Sequence, residues 1–352
     1  MLSVVPINET EKWDEIVKGF EFHDIYYLSG YVRAFQINGD GEPILFFYED
    51  NTIKAINVLM VKDISKEKNF LDKVPKNTYY SSSTPYGYGG FLIQGKVTND
   101  SLMNLDREYN LECKKMGIVS EFVRFHPVLN NSEMVTPIYE VTNLGRTITL
   151  ELNSHNEIWN CLTSQNRNKI RKAKKAGVDI FWGRKTDLFE KFRPLYNGTM
   201  DRDGAIEYYY FKNDFYSSIL SDLKYNSLMF YAQYKEEIIA MSVILFVNQQ
   251  MHYHLSASDK EYQHLAPTNL LLYEAASWGC ENGYKTLHLG GGVGSNEDSL
   301  YTFKKGFNRN SNTYFSIGKK IFDEDKYQDL VNIRKQESGF DERNSFFPLY
   351  LA

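Results

Sequence analysis

Two separate stretches of the chain carry the same succession of residue patterns, and this repeat limits the fold more than any other feature. In the first stretch, Ile44–Tyr48 and Thr52–Val61 are apolar or alternating segments about the turn Glu49–Asn51, the signature of an antiparallel hairpin. A Gly-, Ser- and Tyr-rich loop, Ser81–Gly90, follows, then a helical pattern over Ser101–Met116 stopped by Gly117, then a strand at Val119–Phe125. In the second stretch, Ser227–Tyr234 and Ile238–Val247 flank the turn Lys235–Glu237, and Gln250–Ala257 reads as a third strand. A loop then runs to Pro267, a helix covers Thr268–Asn282 with Gly283 as its stop, and Lys285–Leu289 is a strand. The likeness lies in element order, not in residue identity. Helices carried between the strands of hairpin-based sheets give mixed sheets flanked by helices, so the expected class is α/β (α+β) with two similar units.

Gly145 marks the expected boundary, and Thr147–Leu152 reads as a strand opening the second unit. A helical pattern at Lys326–Lys335 and an apolar tail, Phe346–Leu351, are expected to pack back on the first half. The expected domains are therefore 1–145, completed by 320–352, and 146–319. A length of 352 residues with 42% hydrophobic content supports two cores. The small net charge of −5 argues against a disordered chain.

No apolar run approaches the roughly 20 residues needed to cross a bilayer; the longest are Ile238–Val247 and the segment around Leu270. The start, MLSVVPINETEKWDEIV, lacks the basic and apolar regions of a signal peptide. The expectation is a soluble cytoplasmic protein with at most peripheral membrane contact. Cys113, Cys161 and Cys280 are odd in number and lack CxxC spacing, which reads as reduced thiols and not as a disulfide framework or a zinc knuckle.

Several constellations bear on chemistry. Aromatic residues reach 15% and cluster in Tyr79–Phe91, Tyr208–Tyr216 and Phe230–Tyr234, as cleft lining or as strands packed on helices. The run Arg167–Lys175 places Ile170, Ala173 and Ala176 on one helical face with Arg167, Arg171, Lys174 and Lys175 on the rest. Such a face is either a solvated surface or a platform for phosphates. Gly290–Gly294 follows a strand directly but ends without the Gly-Lys-Ser/Thr of a P-loop. In Ser299–Phe307, Leu300, Phe303 and Phe307 read as one helical face with Lys304 and Lys305 pointing elsewhere. A lysine beside a strand-end loop is suited to stabilise an oxyanion, and a surface lysine pair has the same spacing. His252, His254, His264 and His288 show no metal-ligand spacing with a carboxylate, so no metal is expected. No GxSxG elbow occurs, and Glu274 is a candidate base only if it faces a cleft.

At these segments the chain resembles the Fem family of peptidoglycan-bridge aminoacyltransferases and the wider group of tandem GNAT proteins. The matching blocks are TPYGYGGFL at Thr84–Leu92, VRFHP at Val123–Pro127, RNKIRKAKKAGV at Arg167–Val178, APTNLLLYEA at Ala266–Ala275 and LYTFKKGF at Leu300–Phe307. The resemblance implies two GNAT-like domains in tandem, with the C-terminal segment returning to the first and the active site in the second. It also implies transfer of an aminoacyl group from a charged tRNA to an amine of a nucleotide- or lipid-linked envelope precursor by a monomeric enzyme. Phe303 and Lys304 match the family's aromatic–lysine pair, in which the lysine lies near the reacting ester. Arg33 corresponds to the family's basic phosphate contact in the N-terminal helix. Where the second domain should offer an arginine before Phe215–Tyr216, this sequence has Phe211 and Lys212, leaving Arg202 or Lys212 in that role. Tyr88 in the first block, with Arg167 and Arg171 in the basic run, completes the expected substrate contacts.

Single-domain GNAT enzymes bind the coenzyme A pyrophosphate on a glycine-containing turn at a helix N-terminus. The corresponding turn here is Gln263–Thr268; both glycines are absent, and Pro267 contributes no amide donor. An aminoacyl-tRNA donor is therefore expected, used as co-substrate with no bound cofactor, with Lys304 and backbone amides on the oxyanion and Tyr253, His254 and Asn269 positioning the acceptor. The alternatives are an acyl-CoA-dependent N-acetyltransferase acting on an amino sugar or sugar nucleotide, and a noncatalytic glycan- or RNA-binding module.

Overall fold

The computed structural model describes residues Met1–Ala352 and divides them into two compact units. The first comprises Met1–Leu144 with Phe315–Ala352, the second Gly145–Tyr314.

In the first unit, β1 (Leu2–Pro6), α1 (Thr10–Lys18) and α2 (Ser29–Asn38) precede the hairpin of β2 (Glu42–Glu49) and β3 (Ile53–Asp63). Tyr48 opposite Ala55 and Leu45 opposite Val58 set its antiparallel register. β4 (Tyr80–Ser83) and β5 (Leu92–Gly95) both pair with β3, and α3 (Asn99–Lys115) leads to β6 (Ile118–Arg124). A reciprocal Thr98–Ser101 capping box starts α3, satisfying amides that the first turn leaves bare. At Gly117, where φ is +75°, the Thr78 carbonyl occupies the place of a Cβ, so only glycine closes this helix stop. The strand order is β1-β2-β3-β4-β6 and then β13 (Thr313–Ile321).

The segment Ser81–Gly90, read from the sequence as loop throughout, begins as strand β4, which pairs antiparallel with β3 and parallel with β6. Its serines are not solvated: Ser81 and Ser82 are buried, and Ser82 Oγ donates to the Ser120 carbonyl.

The second unit holds β7 (Glu140–Glu151, shared at its start with the first unit), α4 (His155–Cys161), α5 (Ser164–Ala176), β8 (Asp179–Gly183), α6 (Thr186–Asp203) and α7 (Asn213–Asp222). β9 (Ser227–Tyr234), β10 (Glu237–Val247), β11 (Gln250–Ser258), α8 (Pro267–Glu281), β12 (Thr286–Gly290) and α9 (Ser299–Lys305) follow. Its strand order is β8-β9-β10-β11-β12-β7. β11 and β12 are parallel, with α8 as crossover, as β4 and β6 are with α3. Each unit thus has a path of six strands with the parallel pair at the same place in it, closed by an antiparallel strand beside that pair; β5 is added to the first unit off this path. The closing strand of the first unit comes from the far C-terminal side, and that of the second unit precedes all its other strands.

The core of the second unit gathers Ile148, Leu150, Phe230, Ile244, Leu271, Ala275, Leu287 and Phe307 between the sheet and α8. The C-terminal tail is fastened to the first unit. α10 (Glu324–Lys335) contributes Leu330 and Val331, and Tyr350 is fully buried with Ile64, Phe70 and Val119. Tyr350 and Ser120 share a hydroxyl–hydroxyl hydrogen bond of 2.7 Å, and Arg334 donates to the carbonyls of Tyr350 and Ala352.

Candidate active site

The candidate site of the second unit is the place where its two parallel strands part. β11 and β12 pair only from Gln250–His252 to Thr286–His288, after which β11 continues to Ser258 paired with β10 alone. Just beyond the last pair, His254 is the extra residue of a bulge in which Val243 faces Leu255 and Ile244 faces Tyr253. A bulge re-aims the side chains beside it. Burial, with His252 adding to it, holds the His254 pKa down at about 3, so the imidazole is neutral. Burial likewise pushes the Tyr253 phenol up to about 12, against hydrogen bonds with Ser256 and Ser242.

At the end of β12 the chain enters Gly290–Gly294 and returns through α9. Asp298 caps that helix by accepting from the Tyr301 amide at 2.8 Å, and its other oxygen accepts from the Val293 amide at 3.0 Å. These amide bonds keep its carboxyl below the usual range. Lys304, on the last turn, is buried, and its Nζ donates to the Gly291 carbonyl at 2.6 Å. The buried face of α9 is therefore Tyr301, Lys304 and the following Phe307, with Leu300 exposed. The sequence pattern puts Leu300 on one face with Phe303 and Phe307 and Lys304 elsewhere; in the structure it is Lys304, not Leu300, that is buried beside Phe307. Burial lowers the Lys304 pKa to about 8, opposed by Asp298; a desolvated ammonium loses its proton more readily. Phe303 is partly buried and meets Phe307 edge to face.

Three helix ends converge beside this lysine. Thr163, the N-cap of α5, donates its amide to Gly306 at the end of α9, and Asn166 in the first turn of α5 accepts from Asn269 Nδ2 at 2.7 Å. Asn269 lies in the first turn of α8, which starts at Pro267 after Ala266 in the left-handed region (φ +56°). That turn offers the amides of Thr268 and Asn269, and Pro267 offers none. Asn166 Nδ2 is buried without a hydrogen-bond acceptor.

Other residues singled out from the sequence are engaged locally. Arg167 donates to the Leu162 and Trp159 carbonyls, satisfying the C-terminus of α4, and Arg171 lies over the Trp159 ring. Arg202 fastens the end of α6 to β11 through the Ser258 carbonyl and also bonds Gly198 and Thr199. Lys212 is exposed immediately before α7. Glu274 is in an ion pair of 2.7 Å with Lys174, which removes it as a free base. In the first unit, Arg33 donates to Thr10 Oγ1, and Tyr88 packs against Tyr26, His126 and Phe315. Gly291 lies in the loop Gly290–Gly294 that the sequence singles out, whereas Asp298 and Asn166 are not among the sequence candidates. Only Asp298 carried a signal, an aspartate immediately before a helical run.

Residues 163–305, from the α5 N-cap to the last residue of α9, match the family model for the acetyltransferase (GNAT) domain. This segment is a GNAT acyltransferase domain. The match ends one residue past Lys304, so the lysine and its glycine loop lie inside the GNAT domain. The chain is similar over both units to the crystal structure of FemX, with a TM-score of 0.67 and 15% identity, covering 93% of this chain and 99% of that one. The C-terminal domain of a putative lysylphosphatidylglycerol synthetase from Agrobacterium fabrum gives 0.55 at 12% identity, covering 89% and 91%. A tandem GNAT protein from the clavulanic acid biosynthesis pathway gives 0.51 at 8% identity, covering 92% and 99%. These likenesses establish a tandem GNAT fold. No curated protein sequence matches the chain. No helix is long and apolar enough to cross a membrane.

Proposed function

We propose that this acyltransferase moves an aminoacyl group from a charged tRNA to an amine of a cell-wall or surface-glycan precursor, nucleotide- or lipid-linked, in the cytoplasm. The observation that carries the reading is Lys304, a lysine buried within the GNAT domain and held by the glycine loop at the end of β12. The acceptor nitrogen attacks the ester carbonyl, a C–N bond forms, the ester C–O bond breaks, and the tRNA hydroxyl leaves with the proton that the amine gives up. Lys304 spends one ammonium hydrogen on Gly291, leaving two for the oxyanion, where a buried charge acts strongly. Phe303 flanks the lysine, Tyr253 and His254 line the diverging end of β11, and Asn269 contributes from the first turn of α8. Within the second unit, the exposed Arg171 and Lys212 are the proposed outer contacts to the precursor and donor, while Arg167 and Arg202 hold α4 and α6, and Arg33 and Tyr88 belong to the first unit.

The donor assignment rests on the α8 turn, where a pyrophosphate would find Ala266 and Thr268 in place of glycines and, between them, Pro267 without an amide to donate. The match to a family described by acetyl transfer favours a second reading, an acyl-CoA-dependent N-acetyltransferase acting on an amino sugar. Titration with acetyl-CoA separates the two: no saturable binding accords with the tRNA donor, and saturable binding that protects Gln263–Thr268 from hydrogen exchange overturns it.

A further inference from the structure

We propose that Asp298 is a positioning residue for Lys304: one carboxylate ties the glycine loop to the first turn of α9, so that the Gly291 carbonyl faces Nζ and fixes the ammonium. This inference rests on Lys304 being the group that meets the donor carbonyl. An ordinary N-cap uses one side-chain oxygen, and Ser, Asn or Asp serve almost equally. Here both oxygens are committed to different segments, one to Tyr301 at the start of the helix and one to Val293 in the loop. A Cβ on Gly292 would fall on the Asn296 carbonyl and the Asp298 carboxylate, so the loop lies directly against this side chain. One residue before Gly292, the Gly291 carbonyl takes the Lys304 hydrogen at 2.6 Å.

The charge of Asp298 has a second effect. Around α9, Lys305 lies over the Tyr301 ring, and Glu297 and Tyr301 act on Arg146. The anion that acts on Lys304 is Asp298, and it opposes the loss of the proton that burial favours. A carboxylate at this position therefore holds the loop that orients the ammonium and favours its charged form more than a neutral cap does.

The test compares wild type with Asp298→Asn and Asp298→Ser, both competent helix caps, using protein labelled with 13C at the lysine ε-carbon. The Lys304 signal is assigned by its absence in Lys304→Met, and its titration is followed by NMR. Both neutral variants are expected to keep the wild-type melting temperature within a few degrees and to lower the Lys304 midpoint by roughly half a pH unit or more. The alkaline limb of the transfer rate should move to lower pH with it. An unchanged midpoint in both variants overturns the inference, because a residue that is only a cap does not set the proton affinity of Lys304. Failure of the underlying reading looks different: Lys304→Ala would then retain turnover, whatever the Asp298 variants do.

Discussion

Replacing Lys304 by methionine should remove activity and yet stabilise the fold near neutral pH. Folding lowers the Lys304 pKa from 10.5 to about 8, with burial the leading cause and Asp298 opposing it. Keeping the lysine charged in that place therefore costs about 3 kcal/mol. The folded-state pKa lies below the unfolded one, so between the two the unfolded chain holds more protons and stability rises with pH. The cost is fully present below about pH 8 and is relieved as pH climbs towards 10.5. Measured against Lys304→Met, wild type should gain about 2.5 kcal/mol between pH 7 and pH 10. Other titrations, including those of the buried tyrosines, are common to both proteins and cancel in the difference. Urea denaturation at a series of pH values, with equal slopes for the two proteins, gives that difference directly. A wild-type-minus-variant difference that does not change with pH would refute the buried, charged lysine on which the account depends.

Three other perturbations follow from the packing. Glu121 has no exposure and accepts from Asn57 Nδ2, Tyr109 and Tyr139, each at 2.9 Å; Glu121→Ala strands three buried donors and should cost about 3–5 kcal/mol in urea denaturation. Tyr350→Ala empties a fully buried site and should cost about 3–5 kcal/mol, with faster proteolysis of the α10 segment, whereas Tyr350→Phe loses only the Ser120 bond, worth about 1 kcal/mol. Gly292→Ala puts a methyl against the Asn296 carbonyl and the Asp298 carboxylate; it should lower the transfer rate by an order of magnitude or more with a melting temperature close to wild type, since the loop lies outside the core.

The repeated order was readable because its punctuation is chemical. Lys235 and Glu236 turn the second hairpin at φ +48° and +68°, and Gly117 and Gly283 stop the two crossover helices in the left-handed region. Strand β4 was not readable, since Tyr80–Ser83 is polar by composition and its serines are buried through main-chain pairing with β3 and β6. Periodicity was also silent on the exchange of closing strands, because β7 and β13 satisfy the same alternation wherever they dock. Lys304 was legible by resemblance but not by pattern. A lysine reads as surface, whereas here its stem completes an inner face with Tyr301 and Phe307, and its charge is met by a carbonyl that no side-chain pattern announces. Arg167 shows the converse: it read as part of a charged face, and its guanidinium closes the C-terminus of α4.

Acyl transfer through Lys304 is tested most directly by presenting the purified protein with radiolabelled aminoacyl-tRNA and a cell-wall precursor extract, then resolving the products by intact mass. The account predicts a precursor heavier by one aminoacyl group, formed by the wild type and absent with Lys304→Ala. It is contradicted if Lys304→Ala forms that product at the wild-type rate, or if the precursor gains mass only when acetyl-CoA is supplied.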